Sequence, residues 1–309
     1  METSPPMRAL LMLPLLALLF AACGDKPAPD DSAPVKSLGK AELEKPVVAE
    51  AQPDAPKLDA GVAARMAMAI EKTKDAFDRA ELYHKAKSLG AAGKALIPVL
   101  QKGLSDVEGV ARAAAVEALA AIDATIGAAA ASKALSDKDP EVRLRALAAL
   151  DSLPAMDIES IIAFVRDEID STVQLAGVLV LEKKLTAAQG ERVCFILGAL
   201  DPKALVPCVR MVRKFALKAA VPKLATLVNC HDEDARVAVA EALAELGVPD
   251  KDALKGLVRA LTDEALPVRK AAYAALKKLS GKDIRYNPEA DEMELEDAQS
   301  AWKEAVLGK

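Results

Sequence analysis

Aromatic side chains are scarce in this sequence: only 3% of its 309 residues, one Trp, three Tyr and five Phe. A binding platform built on ring stacking has little to draw on. Histidine is scarcer still, with only His84 and His231, far apart in the chain. No nucleophile elbow, phosphate loop, zinc-protease motif or dinucleotide fingerprint occurs, so the motif-bearing enzyme classes are excluded. The four cysteines, Cys23, Cys194, Cys208 and Cys230, share no metal-ligand spacing, which argues against a structural zinc. The net charge of -5 carries no polybasic footprint for nucleic acid. The apolar run at 9–22 is 14 residues, too short to cross a bilayer comfortably.

What the chain has in quantity is Ala, Leu and Val, within a hydrophobic content of 52%. Ala and Leu are the strongest helix formers and pack helices closely, so an all-α fold is expected. The run ALLMLPLLALLFAA at 9–22, preceded by Arg8, has the length and charge of a secretory leader. Met7 is the candidate initiator, because METSPP is an unusual start for such a leader. The leader ends in Leu19-Phe20-Ala21-Ala22-Cys23-Gly24, which resembles the lipobox of bacterial lipoproteins, with Phe20 where Leu is usual. That resemblance implies cleavage after residue 22, acylation of Cys23 (palmitate among the chains) and, with Gly24 rather than Asp next, an outer-membrane position facing the periplasm. Several acyl chains would anchor stably where one is marginal. From 24 to 59 the chain holds six prolines among Asp, Glu, Lys and Ala without apolar period, the composition of a disordered tether.

The remainder repeats itself. GVARAAAVEALAAI (109–122), PEVRLRALAALDSL (140–153), STVQLAGVLVLEKKL (171–185), DARVAVAEALAELG (234–247) and PVRKAAYAALKKLSG (267–281) align on Arg112, Arg143, Gln174, Arg236 and Arg269, with Leu205 completing the series between Gln174 and Arg236. The steps are 31, 31, 31, 31 and 33. Seven positions after each lies an apolar residue: Leu119, Leu150, Leu181, Val212, Leu243 and Leu276. A shorter apolar helix precedes each, with Pro98 and Pro222 in first turns, and Asp139-Pro140-Glu141 reads as a helix start. Leu205 and Pro207 make their unit the most divergent, and its second helix is expected to start late.

This pattern resembles the HEAT-like repeat of the phycobilisome-lyase type over roughly 93–281. The resemblance implies an all-α, right-handed α-solenoid of about six HEAT-like hairpins with helical caps. The divisions follow: leader 1–22, lipidated Cys23 and tether 23–59, N-terminal cap 60–90, repeat array 91–281, C-terminal capping helix 282–309. Met66, Ile70, Phe77, Leu82 and Leu89 are the apolar stripe of the first cap, and Leu295, Ala298, Trp302 and Val306 that of the last.

The recurrent Arg lies at the edge of the buried stripe beside acidic turns such as Asp139 and Asp232, and is expected to form an Asp–Arg ladder between hairpins rather than a ligand row. Cys194 and Cys208 read as small buried hydrophobes, with a disulfide as the alternative. Against the core stripe Val142, Ala146, Ala149 and Leu150, the residue after the recurrent Arg points away, and there the sequence has Leu144, Leu175, Val206 and Val237. The second helix lines the concave face in arrays of this resemblance, so these four are a candidate apolar floor for a protein partner. Lys183, Lys184, Arg210, Arg213 and Lys214 gather beside it as a candidate basic border. The expectation is a monomeric, membrane-tethered protein–protein interaction scaffold of the bacterial cell envelope, not an enzyme, without metal, cofactor or nucleic acid. The rivals are a chromophore lyase or chaperone, and a sensor module for an envelope ligand.

Overall fold

The computed structural model describes residues 59–154 and 156–308. The expectations placed on 1–58, Cys23 included, lie outside those residues. Among the described residues the chain is helical throughout, arranged as successive two-helix hairpins. The first is α1 (Ala60–Lys72) and α2 (Ala76–Lys87); the second, α3 (Ile97–Gly103) with a 3₁₀ lead-in, and α4 (Gly109–Ile122). The third is α5 (Ala124–Ala134) and α6 (Pro140–Ser152), and the fourth α7 (Ile158–Asp167) and α8 (Ser171–Lys184). In the fifth, the 3₁₀ helix Ala187–Phe195 takes the place of a first α-helix before α9 (Pro202–Lys214). The sixth is α10 (Val221–Leu227) and α11 (Glu233–Leu246), the seventh α12 (Lys251–Arg259) and α13 (Leu266–Ser280), and α14 (Glu292–Leu307) closes the array.

Aspartate starts most of these helices. Asp59, Asp75, Asp123, Asp139, Asp157, Asp170, Asp201, Asp232, Asp250 and Asp291 each accept hydrogen bonds from amides of the following first turn. Those amides have no partner inside the helix, so a carboxylate there both satisfies them and meets the positive end of the helix dipole. Helix ends follow an equally local rule where Gly247 and Gly281, both at φ 67°, terminate α11 and α13 in the left-handed region.

The hairpins pack because none can cover its own apolar side. Second helices α2, α4, α6, α8, α9, α11 and α13 stack in one row, the inner row, and approach one another more closely than the first helices do. The apolar position seven residues after the recurrent Arg is the spine of this packing: Leu119, Leu150, Leu181, Val212, Leu243 and Leu276 are all 2% exposed or less. Burying such a side chain contributes about 1.5–3 kcal/mol. Close approach is also written in glycine, since a Cβ on Gly127 of α5 would lie 2.2 Å from the Ala120 Cα of α4.

The first cap is a full hairpin in register with the rest, because Arg79 stands 33 residues before Arg112 and does the same work, described below. Its core is Ile70, Ala80 and Tyr83, while Phe77, expected inside, is exposed. Phe77 directly follows the buried Ala76, so it faces outward on the first turn of α2. The last cap is as expected, with Leu295 and Trp302 buried and Ala298 and Val306 packed beside them; Trp302 meets Tyr273 edge-on at 6.0 Å. The expectation of a late start for the fifth unit's second helix is corrected: α9 begins at Pro202, capped by Asp201, and carries Pro207 inside. Pro207 forfeits only the bond to the carbonyl four residues earlier, on the exposed Lys203, where water can replace it.

Candidate interaction surface

Two sets of polar contacts tie each hairpin to the next, and together they define which surface is left for a partner. The first runs along the turns. Arg79 donates from Nε and Nη2 to Asp106 at 2.7 and 2.8 Å, and from Nη1 to the carbonyls of Thr73 and Lys74. Arg112 does the same with Asp137, at 2.7 Å twice, and with the carbonyls of Asp106 and Val107. Arg143 grips Glu168 at 2.6 and 2.8 Å and the Asp137 carbonyl. Each guanidinium thus closes the turn of its own hairpin and holds the carboxylate of the next, in the bidentate geometry that suits Arg and not Lys. The carboxylates in turn accept amides of their own turns, as Asp137 does from Asp139. A ladder is present as expected, but Asp139 and Asp232 cap helices while Asp106, Asp137 and Glu168 form the rungs, and it uses these arginines up.

Gln174 replaces the charged rung with a neutral one. Its amide donates to the carbonyls of Val165, Glu168 and Ala199 and accepts from the Asp201 amide at 2.7 Å. At the next step Leu205 stands in the Arg register and Cys230 in the carboxylate register, so both charges are absent together. The ladder resumes with Arg236, bonded to Asp263 at 2.9 Å and to the carbonyls of Cys230 and His231, and ends with Arg269 on the Pro288 carbonyl.

The electrostatics follow the geometry. The Arg112 hydrogen bonds hold the Asp137 carboxyl below the usual range, outweighing burial. For Asp106 and Glu168 burial pushes the pKa up, yet hydrogen bonds from Arg79 and Arg143, amide donors and guanidinium charge prevail, so both also lie below the ordinary value.

The second set crosses the inner row. Glu117, only 10% exposed at its side chain, pairs with Lys87 at 2.6 Å and Arg145 at 3.3 Å. Lys183 pairs with Asp151 at 2.7 Å, and Lys184 lies 3.8 Å from the same carboxylate and 3.3 Å from the Leu153 carbonyl. Arg210 grips Glu182 at 2.8 and 2.9 Å, and Arg213 bonds Glu241 at 2.9 Å and also Glu245. Lys214 sits 5.2 Å over the Phe215 ring. The five basic residues therefore do come together in the central units, but carboxylates from adjacent hairpins meet four of them. The border is close to balanced in charge, not an open positive rim.

Leu144, Leu175, Val206 and Val237 occupy the second helices of four consecutive hairpins and are half-buried, packed against the core edge. They do not point straight out, as a helical wheel suggests, because each packs against the buried core. Arg79 and the inner Glu117–Arg145 pair were not singled out from sequence. A step of 33, like the final one, is the signal that places Arg79 in the ladder.

Cys194, Cys208 and Cys230 are free thiols; burial pushes the Cys208 thiol well above its ordinary value, so it is an inert core group. Among the described residues, no group of three His, Cys, Asp or Glu side chains could hold a metal ion, and no helix is long and apolar enough to cross a membrane.

One stretch of the stacked hairpins matches a family model. Residues 191–277 match the model of HEAT repeats. That stretch spans the fifth unit to the seventh, and the HEAT-type hairpins are those of an α-solenoid. No curated protein matches the chain. Among solved structures, human deoxyhypusine hydroxylase is similar at 20% identity over 72% of this chain and 86% of its own, with a TM-score of 0.33. Kap121p is similar at 11% identity and a TM-score of 0.47 over 74% of this chain, which spans only 30% of that protein. A designed armadillo repeat protein is similar at 18% identity, covering 70% of this chain and 98% of its own, with a TM-score of 0.30.

Proposed function

We propose that the chain is a membrane-tethered scaffold of the bacterial cell envelope that holds a protein partner on the inner face of its second helices. The observation that carries this reading is the row Leu144, Leu175, Val206 and Val237, half-open on four consecutive inner helices beside charges already paired within the array. A HEAT-type solenoid offers such an extended inner surface. The tether rests on the apolar leader at 9–22 and the lipobox-like run ending in Cys23, in a monomer anchored in the outer membrane and facing the periplasm. The reading assigns the chain no chemical step.

A photo-crosslinker at Leu175, in the tethered protein in its own membranes, should capture one partner reproducibly. Leu175→Asp should then abolish capture while circular dichroism stays unchanged, by placing a charge in a desolvated contact. Because Lys183, Lys184, Arg210, Arg213 and Lys214 are largely balanced, reversing Arg210 alone should alter association little. Unchanged capture by a folded Leu175→Asp protein overturns the inner-face assignment. Cys23→Ala should move the protein from the membrane to the soluble fraction, and its retention together with an unacylated wild type overturns the tether.

A further inference from the structure

We propose that the joint between the fifth and sixth hairpins is a hinge built into the array, opening at the turn edge and the first-helix row while the inner row stays latched. The inference does not depend on the proposed partner. It starts from what each joint has at its turn edge. Joints one to two, two to three and three to four carry bidentate guanidinium–carboxylate rungs. Joint four to five carries Gln174, with one bond to Ala199 and one from Asp201. Joint five to six has Leu205 and Cys230 in those registers, which can form no such bond.

Two further features fall on the same joint. The outer element of hairpin five is a 3₁₀ helix, in which hydrogen-bond geometry is poorer than in an α-helix. The connection passes through Ala216, the one non-glycine residue among the described ones with positive φ, at 50°. A backbone held in a sparsely populated region at an element end is where a hinge absorbs its rotation.

The inner side is the reverse. Helices α9 and α11 are in close contact, Val209, Met211, Val212, Val239 and Leu243 are wholly buried between the rows, and Arg213 bridges to Glu241 and Glu245. An edge without its rung opposite a latched row has one easy motion, rotation about the row. That motion would change the curvature of the inner face at Val206 and Val237.

The test uses paired spin labels at the same turn register, Val107 with Lys138 and Leu200 with His231, in a chain whose native cysteines are replaced by alanine. The distance distribution across joint five to six should be about twice as broad as that across joint two to three, as expected of a hinge against a packed joint. Installing the missing rung as Leu205→Arg with Cys230→Asp should narrow it towards the value for joint two to three. Arg is tolerated at that register in the other hairpins, where Arg112 and Arg236 are 6% and 7% exposed. If the doubly substituted chain does not fold, the comparison of the two joints in the parent still decides. Equal widths in the parent overturn the hinge, and a width at joint five to six unmoved by a correctly folded Arg–Asp rung overturns its assigned cause.

Discussion

The rung between Arg112 and Asp137 should behave as a unit, costing no more to remove whole than to halve. The Arg112 side chain is 8% exposed and that of Asp137 14%. Asp137→Ala strands a guanidinium that has lost two charge-assisted bonds. Arg112→Leu strands a carboxylate and frees the carbonyls of Asp106 and Val107. Breaking one partner out of a buried pair costs about 3–5 kcal/mol in each case. The double substitution leaves no unpaired charge and loses mainly the turn bonds, at about 1 kcal/mol each, so it should total about 3–4 kcal/mol rather than the sum of the singles. The coupling is then about 2–7 kcal/mol, at or above the upper end for residues in contact. Urea unfolding of the four proteins, followed by circular dichroism and compared at constant slope, gives this number. The exposed pair Lys102–Glu71, at 72% and 51% exposure, is the control and should couple by less than about 1 kcal/mol. A rung coupling no larger than the control's would refute the claim that these arginines hold the hairpins together.

Other outcomes follow from single positions. Leu243→Ala, at a fully buried spine position, should cost about 2–5 kcal/mol against about 0.5 for Glu245→Ala on the surface, read as separated melting curves. Gly127→Ala forces a Cβ to 2.2 Å from the Ala120 backbone and should destabilise by about 1–3 kcal/mol, although Ala is the better helix former; a stabilised variant would mean that α4 and α5 are farther apart. Asp106, Asp137 and Glu168 all have folded pKa values below their unfolded ones, so their contribution is full above the ordinary carboxylate range and is lost as pH falls through the depressed values. Acid titration followed by hydrogen exchange should therefore loosen hairpins one to four, and Arg112→Leu with Asp137→Ala should flatten that pH dependence.

The parts of this fold that repeat were legible, because a buried Leu every 31 residues and an Arg seven before it are signals within one helix. An Asp beside the recurrent Arg was foreseen, but the acids named, Asp139 and Asp232, cap helices; Arg143 meets Glu168 and Arg269 a carbonyl. The apolar floor and basic border were legible only as positions. Whether Leu175 is open or half-covered depends on how closely the next inner helix approaches, which no wheel of one helix contains. Likewise Lys183, Arg210 and Arg213 find Asp151, Glu182, Glu241 and Glu245 at separations of 28 to 32 residues. An excess of charge in one segment was in fact half of a pairing with its neighbours. Phe77 misled for a related reason: at the first turn of α2 an apolar residue can sit at helical spacing and still face water. Pro207 misled because the rule against proline inside helices counts the lost bond but not whether its acceptor is on the wet side.

The paired loss of charge at Leu205 and Cys230 has a consequence for how such a chain can lengthen. Hairpins two and three each present a carboxylate acceptor on one side and an Arg donor on the other, so they join like plugs with a type and a direction. A copy of hairpin two or three can be inserted among the first three, because a guanidinium then always meets a carboxylate. Placed directly after hairpin five, the same copy would bring its acidic turn against Leu205 and bury a carboxylate with nothing to meet it. Growth of the array by duplication is thereby confined to blocks on either side of that joint, with hairpins five and six obliged to travel together.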